Sequence, residues 1–336
     1  MSTINNQLTS LEICAGAGGQ AIGLESAGFD HVALVEVDHH ACNTLRYNRP
    51  SWNVIEDDVR KFDGKPFKGI DLFAGGVPCP PFSVAGKQLG WDDERDLFPD
   101  ALRLVEETGP KAVMIENVKG LMSKKFANYR KQILRKLEQL GYLGDWKLVY
   151  AADYGVPQLR PRAILVALKE AYWPYFNWPS KTEEKRHTVG EALYQQMKSN
   201  GWEGAAAWKN KANAIAPTIV GGSKKHGGAD LGPTRAKKAW LELGVNGKSL
   251  ADEPPGPGFE GTPKLTVRMA AIIQGFPEEW VFTGKKTASY RQVGNAFPPP
   301  VAKGIGGAIA SALRKEQVFD KPGIELEFAF SEITKK

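Results

Sequence analysis

The feature that most constrains this chain is a repeated alternation of short apolar runs and helical segments, punctuated by glycine turns, from its start to about residue 170. Residues 9 to 19, TSLEICAGAGG, read as a short buried strand running into a glycine turn, and QAIGLESAGF reads as a helix ending at Gly28. HVALVEVD, VIEDDV, GIDLFAGG and AVMIENV read as the next strands. Helices are expected over ACNTLRYNR, from about Leu97 to Glu107, and over YRKQILRKLEQLGY, the last closed by Gly141. WKLVYAADYGV and RAILVALK read as a final strand pair. Strands alternating with helices at this spacing predict an α/β chain built on a parallel, doubly wound sheet. Ligands of such sheets sit at the carboxyl ends of the strands.

The pattern breaks from about Tyr172 to Thr262, where Trp, Gly, Lys and Pro dominate with weak periodicity, as in GGSKKHGG and DEPPGPG. We therefore divide the chain into a main domain at 1–171, a smaller irregular lobe at 172–262 and a C-terminal segment at 263–336. The helical part of that last segment, LTVRMAAIIQGF and VAKGIGGAIASALRK, is expected to return to the main domain. At 336 residues the chain is long enough for a full α/β core and a second lobe. Between Lys181 and Leu250 stand twelve Lys/Arg and six Asp/Glu, which accounts for the whole net charge of +6. A basic segment of this kind suits a polyanion, with a solvated lysine face as the alternative. No apolar run reaches membrane-spanning length, and MSTINNQLTS lacks the basic start and apolar middle of a signal peptide, so the protein is expected in the cytoplasm. Cys14, Cys42 and Cys79 are too few and too scattered for a disulfide framework or a zinc site.

Several short motifs carry chemistry. GGVPCPPFS, residues 75 to 83, presents Cys79 between prolines on a turn after an apolar strand, a way to aim a thiolate at a substrate, although a buried structural cysteine would also fit. AGAGG, 15 to 19, lets backbone amides approach a ligand at a helix start, but lacks the G-x-G-x-x-G register of a dinucleotide fold. Glu36 and Asp58, at the ends of the second and third strands, suit a ribose diol and an adenine amino group, and together describe a nucleoside cofactor. Glu116 of IENV ends an apolar strand, where its carboxyl can share a proton with a substrate nitrogen or merely cap a turn. In DYGVPQLRPR, period two brings Arg160 and Arg162 onto one side, a pair suited to a carbonyl oxygen plus a phosphate. RQVGNAFPPPVA is stiffened by a Gly-Asn turn and three prolines.

Taken in order, these pieces resemble the bacterial DNA cytosine-5 methyltransferases, the modification enzymes of restriction systems. The resemblance rests on Gly16, Gly18 and Gly19, Glu36, Asp58, the Pro-Cys loop, ENV at 116 to 118, Q-x-R-x-R at 158 to 162, QGFP at 274 to 277 and GNAFPP at 294 to 299, and it spans nearly the whole chain outside the variable segment. It implies a doubly wound mixed sheet of the S-adenosylmethionine-dependent methyltransferase type, with the variable segment as target-recognition domain. It implies S-adenosylmethionine as cofactor, S-adenosylhomocysteine as product and no metal. A cytosine would be flipped from the duplex. Cys79 would attack C6, Glu116 (with Asn117 in the same motif) would hold N3 and the amino group, Arg162 would bind O2, and Arg160 would support the loop or a phosphate. The cofactor would lie against Cys14, Ala15, Gly16, Ala17, Gly18, Gly19, Glu36, Val37, Asp58, Val59, Pro78, Leu97, Asn295 and Ala296. Ser83 would touch a phosphate, and 80 to 98, with Gly86, Lys87, Gln88, Gly90 and Arg95, would be a mobile loop closing over DNA. Lys224, Lys225, His226, Thr234, Arg235, Lys237 and Lys238 are the recognition candidates in the variable lobe. The implied partners are double-stranded DNA and a cognate endonuclease encoded nearby without a stable complex, the enzyme itself acting as a monomer.

The chain departs from the family pattern at three places. Cys14 stands where Phe is usual, removing an aromatic wall from the cofactor site; Pro80 replaces Gln after the cysteine; and Met269 replaces Glu in the ninth motif. A tRNA cytosine-5 methyltransferase on the same scaffold is the nearest rival, but the Cys-Phe-Thr element of that branch is missing. A silent DNA-binding homologue would not need Cys79, Glu116 and Arg162 together, and a nicotinamide dehydrogenase would need a different glycine register.

Overall fold

The computed structural model describes residues 7–78, 96–182, 186–222 and 228–316. Among them, β1 (Leu8–Ile13), β2 (Phe29–Glu36), β3 (Val54–Glu56), β4 (Leu72–Gly76), β5 (Ala112–Val118), β6 (Tyr142–Tyr150) and β7 (Pro161–Lys169) form one sheet in the order β3-β2-β1-β4-β5-β7-β6. Strands β1 to β5 run parallel, joined by α1 (Gly19–Ser26), α2 (His39–Asn48) and α3 (Phe98–Thr108); α4 (Ala127–Gln139) leads from β5 to β6. The final pair inverts the pattern, since β7 is antiparallel to β5 and β6 antiparallel to β7. The sheet is therefore mixed and doubly wound.

The central strands read as continuous apolar runs because both faces of the sheet are covered. Successive residues of β4 show it: Phe73 joins a core with Phe98, Leu104, Ile133 and Leu137 on one side, whereas Leu72 and Ala74 join Leu24, Ile305 and Ile309 on the other. The second of these layers is closed by α10 (Pro299–Leu313), the C-terminal helix, which lies against α1. That approach is close enough to require glycine, because a Cβ on Gly23 of α1 would stand 2.4 Å from the Pro299 carbonyl oxygen of α10.

The variable segment, expected to be irregular, holds α5 (Val189–Lys198), α6 (Ala205–Lys211) and α7 (Thr234–Glu242), and no strand among its described residues. Their shortness, with Gly- and Pro-rich turns between, explains why no clear period shows in the sequence. Each helix is fixed by packing or capping rather than by length. Thr188 and Glu191 form a reciprocal capping box at the start of α5, and Trp240, fully buried, anchors α7. The apolar cluster around Trp240 also takes in Ala15, Ala21 and Leu45 beside the first glycine turn, and Met269 and Tyr290 from α8 (Val267–Ile273) and α9 (Lys286–Asn295). The variable segment thus shares one core with the elements that shape the first glycine turn.

Candidate active site

The strand order reverses at β1, whose neighbours are β2 and β4, and parallel sheets open a crevice at such a switch point. A cavity of about 350 Å³ lies there. Its wall is drawn from the turn after β1 (Cys14, Ala15, Gly16, Ala17), the start of α1 (Gly19, Gln20), the ends of β2 and β3 (Glu36, Val37, Asp58, Val59), the ends of β4 and β5 (Gly76, Pro78, Glu116), Leu97, and the turn after α9 (Asn295, Ala296, Phe297). Gly16 sits at φ +54, where a side chain is strained, and the space beside its Cα is open.

Glu36 is buried at the end of β2, and every polar contact it makes is with the backbone around the cavity. The Gly16 amide donates to Oε2 at 2.8 Å, while the Val37 and Asp38 amides donate to Oε1 at 2.9 and 2.8 Å. Burial raises its pKa and these three amides oppose the rise. β3 ends at Glu56, short of the strand expected over VIEDDV, which leaves Asp58 on a loop at the cavity edge. There Arg60 holds it, Nη2 to Oδ2 at 2.6 Å, and the guanidinium keeps this carboxyl below the usual carboxylate range. Cys14 is half-buried, and burial together with Glu36 pushes its thiol up; Cys42, whose Sγ donates to the Glu36 carbonyl, is pushed up to about 12. Both therefore stay protonated and unreactive near neutral pH. Phe297 is the one aromatic side chain on the cavity wall among the described residues.

Glu116, also on the cavity wall, meets Arg162. β5 and β7 pair with Val118 opposite Arg162, so Glu116, two residues along, stands diagonally across on the same face. The Arg162 Nε lies 2.6 Å from Glu116 Oε1, with both side chains only 12% exposed. Asn117 points the other way. Its Nδ2 donates to the Val77 carbonyl at 2.8 Å and its Oδ1 accepts from the Val118 amide, so this residue pins the approach to Cys79 rather than facing a reacting group. Of the two roles expected of Arg160, support of a loop or of a phosphate, the geometry fits the first. The residue is fully buried, with φ +22, and donates from Nη1 to the Ile219 carbonyl and from Nη2 to the Gly294 and Ala296 carbonyls at 2.7 to 2.9 Å. Its guanidinium is closed to a solvent-borne phosphate because the side chain is fully buried against these carbonyls.

Gly18 is the one proposed cofactor glycine off the cavity wall; its left-handed conformation starts α1, and Leu45 and Trp280 occupy the place of a Cβ. In the variable lobe, Thr234, Arg235 and Lys238 are exposed on α7. Lys237 is not free, since its Nζ pairs with Asp230 at 2.9 Å. Cys79, Ser83, Gly86, Lys87, Gln88, Gly90, Arg95, Lys224, Lys225 and His226 lie outside the described residues, as does nearly all of the loop expected over 80 to 98.

The profile of the C-5 cytosine-specific DNA methylases matches residues 8–311. The chain belongs to this family. Like its relatives it is a DNA cytosine-5 methyltransferase, and the cavity and the Glu116–Arg162 pair lie within the matched region. It is 57% identical over 317 residues to the Type II methyltransferase M.NgoMIV of Neisseria gonorrhoeae, covering 92% of this chain and 99% of that protein. It is 56% identical over 315 residues to the Type II methyltransferase M.NaeI of Lentzea aerocolonigenes, covering 92% and 76%. The solved structure of a Spodoptera frugiperda DNMT2 mutant is similar in fold, with a TM-score of 0.62 at 17% identity over 91% of this chain and 99% of that one.

Sequence reasoning missed several residues of the methylase cavity: Glu12, Gln20, Asp38, Arg60, Arg291 and Gln292. A signal existed for Glu12, a charge inside an otherwise apolar strand, and for Arg291 and Gln292, which adjoin the GNAFPP motif. Asp38 caps α2, accepting from the His40 and Ala41 amides, and Arg291 reaches it at 3.3 Å, an arrangement that depends on bringing together residues 253 positions apart.

Proposed function

We propose that this methyltransferase modifies one cytosine within a short duplex sequence through a covalent bond from Cys79 to C6, and that it serves as the modification partner of a restriction endonuclease encoded nearby. It would act as a monomer in the cytoplasm. The observation that carries the mechanism is that Glu116, ion-paired to Arg162, lines the same cavity as Pro78, the residue before Cys79. A carboxylate and a guanidinium fixed side by side present acceptors and donors together, which matches the amino and O2 groups of cytosine with N3 between them.

The cavity fits a nucleoside cofactor on its own terms. Glu36 offers a buried carboxylate to a ribose diol, Asp58 an acceptor at the rim, and Gly16 leaves open space. S-adenosylmethionine bound there supplies the methyl group. The remaining work falls to the chain. Cys79 adds to C6 of the extruded base, the π pair of the C5=C6 bond shifts to C4=C5, and that of the C4=N3 bond goes to N3, which takes a proton by way of Glu116. Arg162 holds O2 so that the ring cannot rotate. C5 then takes the methyl group and its proton leaves to a base; elimination breaks the bond from sulfur to C6 and returns Cys79 as thiolate, and N3 gives its proton back by way of Glu116. Arg160 and Asn117 are positioning residues in this scheme, one holding the carbonyls behind the turn after α9 and the other holding Val77.

The test is bisulfite sequencing of unmethylated genomic DNA incubated with the purified protein and S-adenosylmethionine, beside Cys79→Ala. Protected cytosines in one short motif, absent with the variant, are the expected result. Protection that persists in Cys79→Ala would end the nucleophile assignment.

A further inference from the structure

The cofactor cavity contains polar atoms that nothing in the protein satisfies. Gln20, the second residue of α1, is 3% exposed, and neither its Nε2 nor its Oε1 has a hydrogen-bond partner. Glu12, at the end of β1, is 1% exposed and its Oε2 is likewise unpaired. Both side chains line the cavity beside Gly16 and Gly19. Buried polar groups are almost always paired, so three orphaned atoms on one wall mark a place built for something the protein does not itself provide. A carboxamide orphaned at both ends needs an acceptor and a donor together. The ligand end that offers both at once is a zwitterion, and the unpaired oxygen of Glu12 adds a second acceptor for its cation. The start of α1 contributes free amides and a positive partial charge on the anion's side.

We propose that Gln20, with Glu12, seats the amino-acid end of the cofactor: Gln20 Nε2 donates to the carboxylate, and Gln20 Oε1 and Glu12 accept from the ammonium. This rests on reading the cavity as the S-adenosylmethionine site and adds to it two residues outside the motifs recognised in the sequence. Gln20 stands directly after the glycine turn, so the same backbone that approaches the nucleoside also aims the amide.

The test is calorimetric titration with two ligands that share the nucleoside and the thioether: S-adenosylhomocysteine, and 5′-deoxy-5′-methylthioadenosine, which lacks the amino-acid end. Gln20→Leu is expected to weaken S-adenosylhomocysteine about tenfold or more, as for a missing hydrogen bond to a charged group, and to leave methylthioadenosine within about twofold. Gln20→Glu, which preserves volume and sets a carboxylate against the ligand's own, weakens S-adenosylhomocysteine further and again spares methylthioadenosine. Because Gln20→Leu removes orphaned atoms, the ligand-free protein melts no lower than wild type. Equal weakening of both ligands would assign Gln20 a structural role and overturn the proposal, as would unchanged S-adenosylhomocysteine affinity. If the wild-type protein bound neither ligand, the cofactor reading of the cavity would itself fall.

Discussion

A guanidinium shut off from solvent must find acceptors inside the protein, and Arg160 finds them in carbonyls from two distant segments, Ile219 on one side and Gly294 and Ala296 on the other. Replacing it with methionine removes charge and donors while keeping much of the volume. Each hydrogen bond to the charged group is worth about 1.5 to 3 kcal/mol, so Arg160→Met is expected to lower stability by roughly 3 kcal/mol or more in urea denaturation. DNA binding distinguishes this role from that of a phosphate ligand. Removing an arginine that neutralises a phosphate would reduce the slope of log K against log salt by about 0.9, whereas the buried geometry predicts an unchanged slope. The sequence shows Glu116 and Arg162 plainly, because an acid in an apolar strand and an arginine in a short motif are visible one residue at a time. That the two meet depends on the antiparallel register of β5 and β7, and that Arg160 does not join them depends on a positive φ. Neither is written in the spacing.

Among the elements, the packing of α1 on the turn that leads from α9 into α10 controls the cavity most directly, since Ala296 and Phe297 lie on its wall and Gly19 lies against both. A Cβ at position 19 would stand 2.2 Å from a backbone oxygen, an atom that cannot rotate away. Gly19→Ala should therefore cost about 1 to 3 kcal/mol of stability and weaken S-adenosylhomocysteine in the same variant, measured by denaturation and calorimetry. Wild-type stability and affinity would show that this turn moves aside freely. The strands and long helices of the main domain are legible from alternation and amphipathic period. Boundaries are less so: β3 stops at Glu56 because Asp57 and Asp58 turn back toward Glu36 and Arg60 instead of extending the ladder. The three helices of the variable lobe escape a reading by period because each spans only seven to ten residues and owes its place to buried tryptophans and caps.

Across the whole molecule, the basic excess falls in the segment that shares its core with the glycine turn after β1, so the two are packed as one body rather than as two loosely joined parts. Exposed Arg235 and Lys238 on α7 are available to a phosphate or a base edge, while Lys237 is engaged with Asp230. The charge balance is readable in the sequence; which of its cations are engaged internally is not, because ion pairs form in three dimensions. The central claim is that Cys79 attacks a cytosine held by Glu116 and Arg162. It is tested most directly with a duplex carrying 5-fluorocytosine at the target position, where fluorine cannot leave as a cation and the bond to sulfur cannot be released by elimination. Incubation with S-adenosylmethionine should yield a covalent protein–DNA species whose crosslinked peptide, by mass spectrometry, contains Cys79, and whose formation is strongly slowed in Glu116→Gln. An adduct mapped to Cys14 or Cys42, or none from protein that methylates ordinary DNA, would contradict the account.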